Sequence, residues 1–253
     1  MLEKFFGGSI AVLENLNFAG VGTLINFFAI MFGGLIGLFG GKLLTEKIRQ
    51  TLQISCAVAV IFIGLAGTLS KMFQVQPSGE IKSDGEILLI ISLIGGGLLG
   101  EIIDIDGKFE SFGVWLKKKS GNEGDAKFVD AFVTASLTVC IGAMAIIGAI
   151  NDRLFHDPTI LIAKSALDFI IILVMTAGLG KGAIFSCVSV GIFQGAITFF
   201  AGTVEPFMTE LALKNLSLVG NVLIFCVGVN LMFENKIRVA NLLPAIVIAV
   251  FWN

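Results

Sequence analysis

TILIAKSALDFIIILVMTAG, residues 159 to 178, is an uninterrupted apolar run that carries two full charges, Lys164 and Asp168. About 20 residues of helix cross the hydrocarbon core of a bilayer, which is the length of this run. On a helix the two charges, four residues apart, project from one face. An unpaired charge at mid-membrane costs roughly 2.5–3.5 kcal/mol on insertion scales. A chain tolerates that cost when the charges pair, when they face a wet cavity, or when function requires them. Lys164 and Asp168 are therefore the first candidates for a working site.

The remainder of the chain has the same character. Hydrophobic residues make up 56% and charged residues 14% of its 253 positions, and the mean hydropathy of +0.95 lies far above that of a soluble domain. The reading is a polytopic, all-α transmembrane helix bundle that contacts the lipid bilayer along most of its length. Cys56, Cys140, Cys187 and Cys226 all fall in apolar spans and read as small packing residues rather than a redox or zinc set. The net charge of −2 identifies no partner, and no basic patch points to nucleic acid.

Eight spans are expected, at roughly 21–38, 54–69, 87–103, 132–150, 159–178, 183–201, 216–233 and 239–252. The last is short, so the count is seven or eight. Residues 21–253 form one membrane domain. Residues 1–20, with Phe5, Phe6, Ile10, Val12 and Leu13, lack the basic start and small-residue cleavage site of a signal peptide. They read as a short interfacial extension.

The loops after spans one, three, five and seven hold 11 lysines and arginines against 6 elsewhere, which places those loops in the cytoplasm and both termini outside. Two of these loops show helical spacing of apolar residues among basic ones: Phe109, Phe112, Trp115 and Leu116 before Lys117–Lys119, and Leu44, Ile48 and Leu52 around Lys47 and Arg49. Both read as helices lying on the membrane surface.

Gly33-Gly34-Leu35-Ile36-Gly37 matches Gly96-Gly97-Leu98-Leu99-Gly100, and Phe62-Ile63-Gly64 matches Cys140-Ile141-Gly142 and Cys226-Val227-Gly228. Landmarks in the same order suggest an internal helix-pair repeat, a common feature of secondary transporters. Gly33, Gly37, Gly96 and Gly100 space small residues for close helix approach. Gly178 to Gly182, a glycine-rich turn between spans five and six, is the best place for a broken helix lining a cavity.

Among polar residues within spans, serines and threonines usually bond back to their own helix. Asn26 and Gln194 bring amides deep into apolar surroundings and must find partners, in another helix or in a ligand. Thr198 lies one turn beyond Gln194. Glu101, just before the boundary of span three, is either an interfacial carboxylate or a coupling group near the inner mouth. His156 lies in a turn, 152–158, that reads as solvated, and no metal-ligand cluster accompanies it. No nucleophile elbow, no zinc-protease motif and no nucleotide-binding loop is present, so neither catalysis nor a cofactor is expected.

A series of landmarks resembles a known family: Gly22-Thr23-Leu24-Ile25-Asn26, Gly100-Glu101, the stretch 132–137 followed by 141–146, Lys164-Ser165-Ala166-Leu167-Asp168, Gln194-Gly195 with Thr198, and Asn241-Leu242-Leu243-Pro244. Together they look like domain of unknown function 554, the YqgA-like prokaryotic membrane proteins, over about residues 22–249. The resemblance implies a multi-span inner-membrane protein of a kind usually grouped with transporters. It brings no substrate and no assigned functional residue.

The leading expectation is a proton- or cation-coupled transporter of a small solute or ion. Lys164 and Asp168 would lie at its midplane, Asn26, Gln194 and Thr198 would supply hydrogen bonds, and Glu101 would mark the cytoplasmic path. An oligomeric channel built from several copies, or a scaffold or sensor that transports nothing, is the alternative.

Overall fold

A computed structural model describes residues 19–75, 79–141, 143–233 and 237–252. The expected N-terminal interfacial segment with Phe5 to Leu13 lies outside these residues, as do Gly142 and Lys236. Eleven α-helices are described: α1 (Val21–Lys42), α2 (Glu46–Met72), α3 (Glu86–Ile103), α4 (Ile105–Lys119), α5 (Phe128–Cys140), α6 (Ala143–Leu154), α7 (Thr159–Leu179), α8 (Ser186–Phe199), α9 (Ala201–Val204), α10 (Glu210–Phe233) and α11 (Pro244–Val250). Short 3-10 turns precede α8 and α11. A two-stranded hairpin, Phe73–Val75 with Ile81–Ser83, joins α2 to α3.

Six helical segments are long and apolar enough to cross a bilayer: Val21–Gly41, Gln50–Met72, Glu86–Ile103, Thr159–Leu179, Lys181–Phe199 and Glu210–Phe233. The expected fourth span is two helices, α5 and α6, bent by 62° to one another after Cys140; counted as one span it makes seven. The sequence reading missed this break because apolar residues continue through it without a proline. The expected eighth span is a 3-10 turn followed by a seven-residue helix, too short to meet the same test. Large apolar side chains point outward along α2 and α3, among them Val58, Phe62, Leu65, Ile90, Ile94 and Leu98. Helices clothed this way on the outside belong in hydrocarbon, and the chain is an all-α membrane bundle.

Three helix pairs organise the bundle. Along α1, Gly22, Gly33 and Gly41 face Leu161, Phe169 and Ala177 of α7, so these two helices run parallel. Along α2, Ile61 faces Gly228 and Gly64 faces Phe225, so α2 and α10 run antiparallel. Gly96 and Gly100 face Ala245 and Asn241, which sets the C-terminal segment antiparallel to α3. A Cβ at Gly33 would lie 2.5 Å from the Phe169 carbonyl oxygen, and one at Gly37 or Gly100 would overlap the Leu173 or Asn241 carbonyl. Only a residue without a side chain fits at that separation.

Of the two surface helices expected, one needs correction. Leu44, Ile48 and Leu52 do not form a separate membrane-surface helix. Thr45 caps Ile48 N–H at 3.4 Å and α2 continues from Glu46 into the bundle without interruption. The second segment does form a helix, α4, started by Asp104 in the left-handed conformation and capped by its side chain at Gly107. Its apolar face packs on protein rather than lipid alone: Phe109 stacks on Phe132 at 6.2 Å, Phe112 meets the same ring at 5.8 Å, and Leu116 is buried. Trp115 remains half exposed.

Candidate functional site

On α7 the Lys164 ammonium lies 2.5 Å from Asp168 Oδ2, and the two side chains are 8% and 5% exposed. Asn26 Nδ2 of α1 donates to the same carboxylate oxygen at 3.0 Å. Lys164 Nζ also donates to the Val139 carbonyl at 2.8 Å. That carbonyl is free because α5 stops: Ile141 is extended, and the last turn loses the amides that would have donated to its carbonyls in a continuing ladder. A cation at a helix C-terminus also complements the negative end of the peptide dipoles. The charge pair is therefore fixed by three helices, and it sits where one of them, α5, breaks.

The α1–α8 interface extends the polar group. Thr23 and Thr198 hydroxyls lie 3.5 Å apart, and Gly191 faces Phe27. These two contacts define an antiparallel register that sets Gln194 level with Asn26. Gln194 and Thr198 share one face of α8, as Thr23 and Asn26 share one face of α1. Asn26 and Gln194 are both fully buried, and Asn26 Oδ1, Gln194 Oε1 and Gln194 Nε2 have no hydrogen-bond partner among the described residues.

Asp152 was not singled out from the sequence. It is 1% exposed, and its Oδ2 accepts from Gly22 N–H at 2.9 Å. The signal was available: α1 opens on Gly20, which has no side chain to cap it, so the amides of the first turn need an acceptor from elsewhere. Asp152, in the last turn of α6, is that acceptor, whereas His156 just beyond the helix is exposed, as expected. The remaining hydroxyls largely bond back along their own helices, as Thr138 does to Thr134 and Ser165 to Leu161, at 2.8 and 2.6 Å. Ser136 instead crosses from α5 to Ser189 of α8 at 2.9 Å.

Glu101 is not part of this group. It pairs with Arg238 near the lysine-rich end, and Asn241 Nδ2 donates to its second oxygen at 2.5 Å. Asn241 Oδ1 in turn accepts from Asp106 N–H at 2.8 Å, tying the α3–α4 corner to the C-terminal segment. Beside this cluster a cleft of about 190 Å3 is lined by Asp106, Asp130, Thr134, Leu137, Asn230 and Arg238, among others. It follows α5 from Asp130 down to Leu137, two residues before the carbonyl that holds Lys164. Burial raises the Asp106 carboxyl above its usual range, with Arg238 opposing. The broken helix expected at Gly178–Gly182 is only a turn, where Gly180 at φ 105° ends α7 and a 3-10 turn leads into α8. No group of three or more metal-ligating side chains occurs among the described residues.

Comparison with known proteins agrees with this architecture. An uncharacterized membrane protein of Bacillus subtilis (strain 168), YdfK, is 28% identical over 227 residues, covering 90% of this chain and 93% of that protein. The uncharacterized protein YqgA of Escherichia coli (strain K12) is 25% identical over 236 residues, covering 90% of this chain and 94% of its own. No solved structure matches. The family described as "Protein of unknown function (DUF554)" matches residues 21–253, and the chain belongs to that family.

Proposed function

We propose that this protein is a transporter of a small solute or ion in the inner membrane, coupled to protons or another cation, and that it is not an enzyme. The observation that supports the reading is the buried Lys164–Asp168 pair, held by Asn26 and by the carbonyl of a broken helix. A discontinuous membrane helix with charged groups at its break is how secondary transporters commonly build a central site. A charge pair kept inside a bilayer protein marks function by default. Gln194 and Thr198 extend the site, and the cleft along α5 approaches it from the lysine-rich side. Glu101 and Arg238 mark the mouth of that route.

The parallel packing of α1 and α7 supports a single crossing by the bent α5–α6 pair, since three crossings must separate two parallel spans. The C-terminal segment runs back along α3 from Asn241 to Trp252, whose carbonyl accepts from Asn215 one turn into α10. An eight-pass arrangement with both termini outside fits this path, as does the helix-pair repeat, in which Gly33–Gly37 and Gly96–Gly100 each seat a partner helix.

The test is reconstitution of purified protein in vesicles that enclose a pH-sensitive dye. Solutes added singly should evoke a lumenal pH change that saturates with concentration. The Lys164→Met, Asp168→Leu double variant should fold and insert yet show none. Normal solute-evoked flux in that variant, or no flux from the wild type, overturns the proposal.

A further inference from the structure

The charge pair at the break is matched within itself. Lys164 is matched by Asp168 at 2.5 Å, and Asp152 Oδ2 accepts from the first turn of α1. Between α1 and α8 what remains unpaired among the described residues is neutral, Asn26 Oδ1, Gln194 Oε1 and Gln194 Nε2, while Asp152 Oδ1 beyond the threonine pair also lacks a partner. The orientation of the Asn26 amide is fixed chemically, because its partner is the carboxylate that already receives Lys164 and can only accept. Nδ2 must therefore face Asp168, which leaves the oxygen free. Gln194 offers one donor and one acceptor whichever way its amide is turned. A fully buried amide with neither group satisfied is rare in folded proteins and costs free energy, so something that can hydrogen-bond belongs there.

We infer that Asn26 and Gln194 form a solute subsite for an uncharged molecule of the amide or urea class, bearing N–H groups for the two carbonyl oxygens and a carbonyl oxygen for Gln194 Nε2–H. The threonine pair Thr23 and Thr198 closes it on the side toward Asp152. An ion entering between Asn26 and Gln194 would meet neutral amides there, with Lys164 and Asp168 already committed to each other. An uncharged donor–acceptor solute fills the vacant hydrogen bonds and disturbs neither. The inference names the solute class for the site proposed above and rests on the transport reading only for what happens to the solute after it binds.

Three planar molecules of similar size separate the possibilities by charge alone: urea, guanidinium and nitrate. Binding is read as the rise in melting temperature of the detergent-solubilised full chain at millimolar additive. Urea should raise the wild-type Tm by on the order of 2 °C, while guanidinium and nitrate leave it unchanged. Gln194→Leu should lose the urea response without a lower Tm in plain buffer, since the replaced amide had no partner there. Gln194→Glu should exchange its preference, responding to guanidinium and not to urea.

A wild type that responds to guanidinium or nitrate as strongly as to urea overturns the inference. So does a Gln194→Leu variant that still responds to urea, or a wild type with no response, which would leave a water-filled pocket only. The two proposals fail separately. Urea binding that depends on Gln194, with no solute flux in vesicles, sinks transport and keeps the subsite. Proton-coupled flux of other solutes with no urea response does the reverse.

Discussion

Two groups in this bundle use the same chemistry in opposite surroundings. Near the break, Asn26 donates to the acid Asp168, which pairs with the base Lys164. At the lysine-rich end, Asn241 donates to the acid Glu101, which pairs with the base Arg238. The first pair is 8% and 5% exposed, the second 64% and 54%. Water can solvate Glu101 and Arg238 when they part, so their attraction is screened and the pair contributes about 0–1 kcal/mol. Lys164 and Asp168 have no such alternative. Their value to the fold lies less in attraction than in the penalty each would suffer alone.

The largest effect should follow from breaking the buried pair one partner at a time. Lys164→Met or Asp168→Leu leaves a lone charge in low dielectric and should cost about 3–5 kcal/mol, read from chemical or thermal unfolding in detergent. Lys164→Met also strips the Val139 carbonyl of its donor. Replacing both residues together should recover much of the loss. Single variants as stable as the wild type would mean that water reaches the pair, and the contrast between the two groups would collapse.

Next in size come the glycines that allow the helices to meet. Gly37→Leu puts a side chain into the Leu173 carbonyl and should force α1 away from α7, which loosens the support of the buried group. Gly100→Leu collides with the Asn241 carbonyl and should displace the exposed group instead. Overpacking of this kind costs roughly 1–3 kcal/mol and occasionally more. Both variants should give a lower folded yield, but only Gly37→Leu should also abolish transport. Wild-type yield in both would put these glycine faces against lipid.

Much of this was legible in the residues. Hydropathy alone locates six of the spans, and the i, i+4 spacing of Lys164 and Asp168 puts them on one face. Asn26 was expected to need a partner, and it found Asp168. The break after Cys140 was hidden because no proline marks it, and the group that uses the carbonyl it frees is a lysine 25 residues away along the chain. Asp152 escaped for a related reason. It was read in its own turn, 152–158, whereas its partner is the start of α1, 130 residues earlier. Glu101 was located correctly near the boundary, but its partner Arg238 lies 137 residues on, and no local pattern reveals that pairing.

The pH response should distinguish the exposed end further. Burial raises the folded-state pKa of Asp106, with Arg238 and the carboxylates of Asp104 and Glu101 around it. A raised folded pKa contributes stability that is fully present below the unfolded pKa and is lost as pH rises through the folded one. Wild-type stability should therefore decline as pH climbs just above the ordinary carboxylate range. Asp106→Asn should flatten that part of the curve, and an unchanged curve would mean that Asp106 titrates as it does in the unfolded chain.

The smallest effects concern the exposed group itself, and they invert the order of importance seen in the buried one. Glu101→Gln removes a charge that water can replace and keeps an acceptor for Asn241, so it should cost less than about 1 kcal/mol. Whatever it does cost should vanish in high salt, where exposed pairs are screened. Asn241 is different, because it is 3% exposed and its amide serves two masters, Glu101 and the Asp106 N–H. Asn241→Ala leaves that backbone donor without its acceptor, which costs about 1–3 kcal/mol whatever the salt concentration. In this group the asparagine should therefore matter more than either charge, whereas beside the helix break the charges should matter more than Asn26. Measuring Glu101→Gln and Asn241→Ala side by side at low and high salt decides it. A Glu101→Gln loss that equals or exceeds that of Asn241→Ala at high salt would show that Glu101 and Arg238 are shielded from water in the membrane-bound protein, and the two groups would then differ in place but not in kind.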